Sequence, residues 1–124
     1  MGTEVAVLAP VGSEGEAGAA VQALFDRWDA TLSRFRPESE LSRLNAGAGT
    51  WFACSPLLLG VLTSSLDWAR RTAGVFDPTI GGSMVAAGYD RTFAELPLKR
   101  AAARPRPAGA WRELAVDRDR VRLP

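Results

Sequence analysis

The chain has 124 residues, 47% of them hydrophobic, which suits one globular domain and is too short for two with separate cores. Fifteen Lys and Arg against fourteen Asp and Glu leave a net charge of +1, so neither a nucleic-acid surface nor an acidic tail is indicated. One Cys and no His exclude an internal disulfide, a Cys/His metal site and histidine acid–base chemistry; Cys54 reads as a small buried thiol.

In chain order, "GTEVAVLAP" at residues 2–10 predicts a largely buried strand ending at Pro10. "SEGE" at 13–16 has capping-box spacing, Ser13 with Glu16, and predicts a helix start. From there Ala17, Ala20, Val21, Leu24, Phe25, Trp28, Thr31, Leu32 and Phe35 recur at helical steps and predict a core face, with the helix stopping by Arg36 because Pro37 follows. "PESELSRLNAGAG" at 37–49 reads as a loop enclosing one short helical turn, capped by Ser39 and running through Leu41 and Leu44. Glu38 and Glu40 are expected to face solvent.

A short strand is expected at residues 50–54, then an N-cap and first-turn proline at Ser55 and Pro56. The helix that follows has Leu58, Val61, Leu62, Ser65, Leu66, Ala69 and Ala73 as its apolar face, Arg70 and Arg71 at its negative end, and Gly74 as left-handed cap. Residues 83–93 predict one or two helical turns broken at Gly88. "LKRAAARPRPAGA" at 98–110 is basic but has no aromatic residue to stack on bases, so it reads as a solvated connector. "AWRELAVDRDRVRLP" predicts a hairpin whose first arm holds Trp111, Glu113, Leu114 and Val116, turning at 117–119 into Val121 and Leu123.

Three loops, "RFRPESELSRLN", "GVFDPTIGG" and "GYDRTF", combine aromatic and polar side chains where binding residues concentrate. On spacing alone Asp77 is either a turn-forming aspartate or an acceptor for ligand N–H and hydroxyl groups, and Phe76 is either core or a stacking ring. Gly81 and Gly82 permit a positive-φ turn or close backbone approach. No nucleophile–base pair can be assembled.

Taken together, "MGT" at 1–3, "LSRFRPESELSRLN" at 32–45, "SPLLLGVL" at 55–62, "GVFDPTIGG" at 74–82 and "GYD" at 88–90 resemble the amino-terminal half of the FAD:protein FMN transferases, the ApbE-type flavin transferases. The resemblance implies an α+β, T-fold-like domain, two amphipathic helices on a mainly antiparallel sheet, that binds FAD in a groove. With magnesium it moves FMN onto a Thr or Ser hydroxyl of an acceptor protein and releases AMP. Some relatives hydrolyse FAD instead, and a non-catalytic flavin- or nucleotide-binding module is a further alternative.

Position by position, the resemblance puts Met1 at a flavin contact, Phe35 at an aromatic of the FAD site, and Val75, Phe76 and Asp77 at the FAD-binding triplet; Thr79, Ser39 and Asn45 are weaker matches that shape the loops. In the family a D-L-G-G-I-A-K-G-like segment follows the hairpin, and further on come an Asp and a Thr that hold magnesium and a His of the active site. This sequence contains none of them, which implies the amino-terminal part of one domain that does not transfer FMN alone, completed by a second half or covered in a homo-oligomer. As written the chain is expected in the cytoplasm, whereas many relatives are exported lipoproteins.

Overall fold

The computed structural model describes residues 5–91, 95–96 and 109–124. It is α+β, with α1 (Glu14–Leu32), α2 (Glu40–Ala46), β1 (Phe52–Ala53), α3 (Pro56–Arg71), α4 (Gly81–Ala86), a 3₁₀ turn (Ala110–Arg112), β2 (Ala115–Asp117) and β3 (Arg120–Arg122). The strands form one antiparallel sheet in the order β1-β3-β2. Val121 of the central strand stands opposite Phe52 on one side and Val116 on the other, as expected for a hairpin turning through Arg118 and Asp119. Its first arm is shorter than expected, because Trp111 lies on the 3₁₀ turn and not on a strand.

The core lies between α3 and this sheet. Leu58, Leu62, Leu66 and Ala69 recur at helical spacing on α3 and meet Leu44, Trp111, Leu114 and Val121. As expected, Ser55 caps α3, its Oγ accepting the Leu58 N–H at 3.2 Å, with Pro56 in the first turn. Glu40 is not solvent-facing. Its carboxylate accepts from both the backbone N–H (2.6 Å) and the hydroxyl (2.5 Å) of Ser55, joining the start of α2 to the start of α3. Glu38 is exposed and pairs with Arg36.

The first helix ends at Leu32, earlier than expected, and the reason is the proline. A helix continued past Ser33 would need residue 37 to donate to the Ser33 carbonyl, and Pro37 has no N–H. That carbonyl instead accepts from Ser39 Oγ at 2.6 Å. Ser39, fully buried, also accepts the Ser42 N–H at 3.0 Å and so caps α2. At the other end of α1 the capping box does not form. Ser13 Oγ donates to the Pro10 carbonyl at 2.8 Å, and Glu14, not Glu16, takes the Gly12 N–H.

Two larger expectations are overturned. Residues 5–10 form no strand, and Val5, Val7 and Leu8 are exposed, because no ladder partner lies beside them among the described residues. The stripe on α1 is not a core face among the described residues: none of its residues is buried, and Leu24, Phe25 and Trp28 stand about half exposed. The helix beside it accounts for this. Its most buried apolar side chains face the sheet, and between α3 and Trp28 an open groove of about 450 Å³ remains, lined on the α3 side by Leu57, Val61 and Trp68 together with Gly60, Ser64 and Ser65, which are too small to fill it.

The C-terminus of α3 differs in a smaller way. The Gly74 N–H donates to the Ala69 carbonyl (2.8 Å) and the Ala73 N–H to that of Arg70 (3.1 Å), the paired bonds of a Schellman motif. Its left-handed position is therefore Ala73, with φ 52°, one residue before the expected cap; Gly74 follows, also positive, at φ 88°. Glycine suits that conformation better than alanine, so Ala73→Gly is expected to stabilise the chain by about 0.5–1 kcal/mol in urea denaturation despite its greater flexibility when unfolded.

Candidate functional site

The "GVFDPT" loop leaves α3 and returns into α4, and two contacts from the distant 109–111 segment hold it. At its start, Gly74 lies under the indole of Trp111: a β-carbon there would come within 3.0 Å of Trp111 Nε1. At its end the buried Asp77 carboxylate is fully employed. Oδ1 accepts the Thr79 N–H (2.8 Å) and hydroxyl (2.5 Å), and Oδ2 accepts the Gly109 N–H at 2.7 Å. Gly109 can present that N–H because its φ of 112° suits glycine.

Both sequence readings of Asp77 anticipated an acceptor, and its structural partners are now specified. Burial pushes the carboxyl up, but the bonds from the Thr79 hydroxyl, the Gly109 N–H and the Thr79 N–H together outweigh burial and hold it below the ordinary carboxylate range. The Arg112 guanidinium adds to the lowering.

Between these anchors the loop pushes its side chains outward. Val75 is 92% exposed and Phe76 45% exposed, while the Phe76 N–H is tied back to Thr72 Oγ1 at 3.0 Å. An apolar surface is thus mounted on a backbone fixed at both ends. Gly81 and Gly82 open α4 with ordinary helical backbone and no crowding, so neither serves a positive-φ turn.

α4 spans only about 9 Å at the usual helical rise and carries the chain to a second cluster. Gly88, at φ 88°, breaks it as expected, and the Tyr89 N–H closes the end onto the Met84 carbonyl. Tyr89 then meets Phe35 edge-on, ring centres 6.0 Å apart at 77°. Arg34 lies over both rings, its guanidinium carbon 4.2 Å from each centre. Phe35 itself is 40% exposed on the turn after α1, beyond the helix in which the stripe had placed it.

The structure therefore sorts the candidate residues into two groups: Val75, Phe76, Asp77 and Thr79 on the clamped loop, and Phe35 with Tyr89 at the far end of α4. Met1 lies outside the described residues, as does most of the 98–110 connector. Asn45 is exposed on α2. Sequence reasoning missed the roles of Gly109, Trp111 and Tyr89. Only Tyr89 had a signal, since "GYD" stood out as an aromatic–polar loop.

Cys54 is half-buried and its thiol is pushed up first by burial and then by Glu40 and Asp119, which suits an inert packing residue. Among the described residues no group of three or more His, Cys, Asp or Glu side chains could hold a metal ion. Asp77 is occupied by its own hydrogen bonds and Asp90 by Arg91. The described residues do not fit a magnesium site.

An α+β domain that presents exposed aromatic residues on anchored loops is suited to holding a planar ligand. The chain belongs to the ApbE family, whose model matches residues 1–124. In fold it is similar to the apo form of the Pseudomonas stutzeri flavinyl transferase ApbE, with a TM-score of 0.72 and 21% identity, over 89% of this chain and 36% of that one. The ApbE protein of Thermotoga maritima has the same TM-score at 17% identity, over 94% of this chain and 39% of that one. The chain thus spans well under half the length of these solved relatives. No curated protein matches it.

Proposed function

We propose that residues 1–124 form the amino-terminal, flavin-binding part of a flavin transferase domain, one that uses FAD and magnesium to place FMN on a Thr or Ser of an acceptor protein and release AMP. The observation that carries this reading is the clamped loop. Val75 and Phe76, which the resemblance implies belong to the FAD-binding triplet, face outward on a backbone held by Asp77 and Trp111. A rigid apolar and aromatic edge can lie against an isoalloxazine or adenine ring without first being ordered, so less binding energy is lost on contact.

The 124-residue polypeptide alone is proposed to bind flavin without transferring FMN, because its described side chains offer no donor set for the metal that polarises the pyrophosphate.

The test is titration of FAD with the 124-residue chain, followed by flavin fluorescence. Quenching is expected, and Phe76→Ser should weaken the interaction roughly tenfold, the worth of one aromatic contact. Fluorescence unchanged at high protein concentration would overturn the flavin reading. Covalent FMN on a Thr-bearing acceptor peptide, with magnesium present, would overturn the claim that this polypeptide lacks transfer activity.

A further inference from the structure

The Phe35–Tyr89 cluster contains a cation, Arg34, with no hydrogen-bond acceptor among the described residues. Arg34 makes no hydrogen bond and no ion pair among the described residues, and its Nη2 is both shielded from water and without an acceptor. The carboxylates nearest to it in sequence, and Asp90 beside Tyr89, are committed elsewhere. Asp29 and Glu38 both go to Arg36, at 2.9 and 3.0 Å, and Asp90 takes two bonds from Arg91, at 2.9 and 3.0 Å. The Asp90 carboxyl is held low first by those Arg91 bonds, against desolvation, and Arg34 contributes only a lesser attraction.

Two aromatic rings hold the guanidinium carbon 4.2 Å from each centre but offer its N–H groups no oxygen or nitrogen acceptor. A planar, partly desolvated fork of donors held in this way is suited to an oxyanion, above all to the paired oxygens of a phosphate. Its place beside Phe35 puts that charge next to a ring that the family resemblance implies for the FAD site.

We propose that Arg34 contacts a phosphate of the bound flavin nucleotide and is the residue by which this chain favours phosphorylated flavins, FAD and FMN, over riboflavin. This rests on the flavin reading above. Phe35 and Tyr89 act as positioning residues, holding the guanidinium in place so that its N–H groups can donate to two oxygens at once.

The experiment measures the affinity of the full 124-residue chain for FAD, FMN and riboflavin by flavin fluorescence, with wild type, Arg34→Met and Arg34→Lys, and checks folding of each variant by circular dichroism. Wild type is expected to prefer FAD and FMN over riboflavin. Arg34→Met should lose roughly ten- to a hundredfold in FAD and FMN affinity, the range of a charge-assisted hydrogen bond, while riboflavin binding stays within about twofold. Arg34→Lys should recover part of the loss, because it keeps the charge but not the fork.

Equal losses for all three flavins would make Arg34 a packing residue only and overturn the assignment, as would unchanged FAD binding in Arg34→Met. Equal binding of the three flavins by wild type would sink the phosphate contact but leave the flavin reading standing. Binding of none of them would bring down both.

Discussion

Asp77→Asn is expected to destabilise the chain by about 2–4 kcal/mol at pH 7, because one oxygen that accepts is replaced by an amide that donates. In the folded chain Oδ1 collects two donors from Thr79 and Oδ2 collects the Gly109 N–H. An asparagine can keep its oxygen toward Thr79, but its NH₂ then faces the Gly109 N–H, or the reverse if it flips. Either way a buried donor loses its acceptor, and the loop carrying Val75 and Phe76 loses its tie to residue 109. The measurement is urea denaturation, and FAD affinity should fall in the same variant as the loop loosens.

The pH dependence of this effect distinguishes a carboxylate from a merely well-packed side chain. The Asp77 carboxyl titrates below its ordinary value in the folded chain, the hydrogen bonds outweighing burial. A depressed folded pKa means that the stabilisation is complete above the unfolded value, about 3.9, and is lost as pH falls through the folded value. The difference between wild type and Asp77→Asn should therefore be constant from about pH 7 to 5 and shrink below about pH 4. A difference that stays the same at pH 3 would show that the ionised carboxylate is not what holds Gly109.

What could be read in advance follows the range of the interaction. Ser55 with Pro56, Ser39 before α2, and the turn at Arg118 and Asp119 are settled by neighbours a few residues away, and each falls where its local chemistry puts it. The core face of α3 was also legible, because its period carries the information. The burial of α1 was not, since an apolar stripe states only that a cover would be favourable and not which element supplies it. Trp28 shares an open groove with Leu57, Gly60, Val61 and Trp68 of α3 and stays half exposed.

The candidate site divides in the same way. Thr79 closing onto Asp77 is a two-residue interaction that "DPT" announces. The Gly109 N–H comes from 32 residues along the chain, and nothing in "ARPRPAGAW" marks it as the other jaw of the clamp. Arg34 was legible as a charge beside an aromatic residue, but its isolation follows from Arg36 and Arg91 taking the available carboxylates, which only the folded arrangement determines.

Gly74→Ala should cost roughly 2–4 kcal/mol, and its cost has two separable parts. One is conformational: φ at this position is 88°, and an L-residue with a β-carbon pays about 1–2 kcal/mol to stay there. The other is contact. The new methyl would lie 3.0 Å from Trp111 Nε1 and 3.6 Å from Cε2, and the indole has little room to retreat because it is 9% exposed and packed into the core with Leu114 and Val121.

A double-mutant cycle separates the two parts. Trp111→Phe removes the atom nearest the new methyl, so Gly74→Ala made in that background should keep its backbone cost and lose most of its contact cost, giving a coupling of about 1–2 kcal/mol by urea denaturation. Strict additivity would mean that the indole does not press on Gly74. The start of the loop would then be held by backbone conformation alone, and Trp111→Phe by itself should leave FAD binding unchanged.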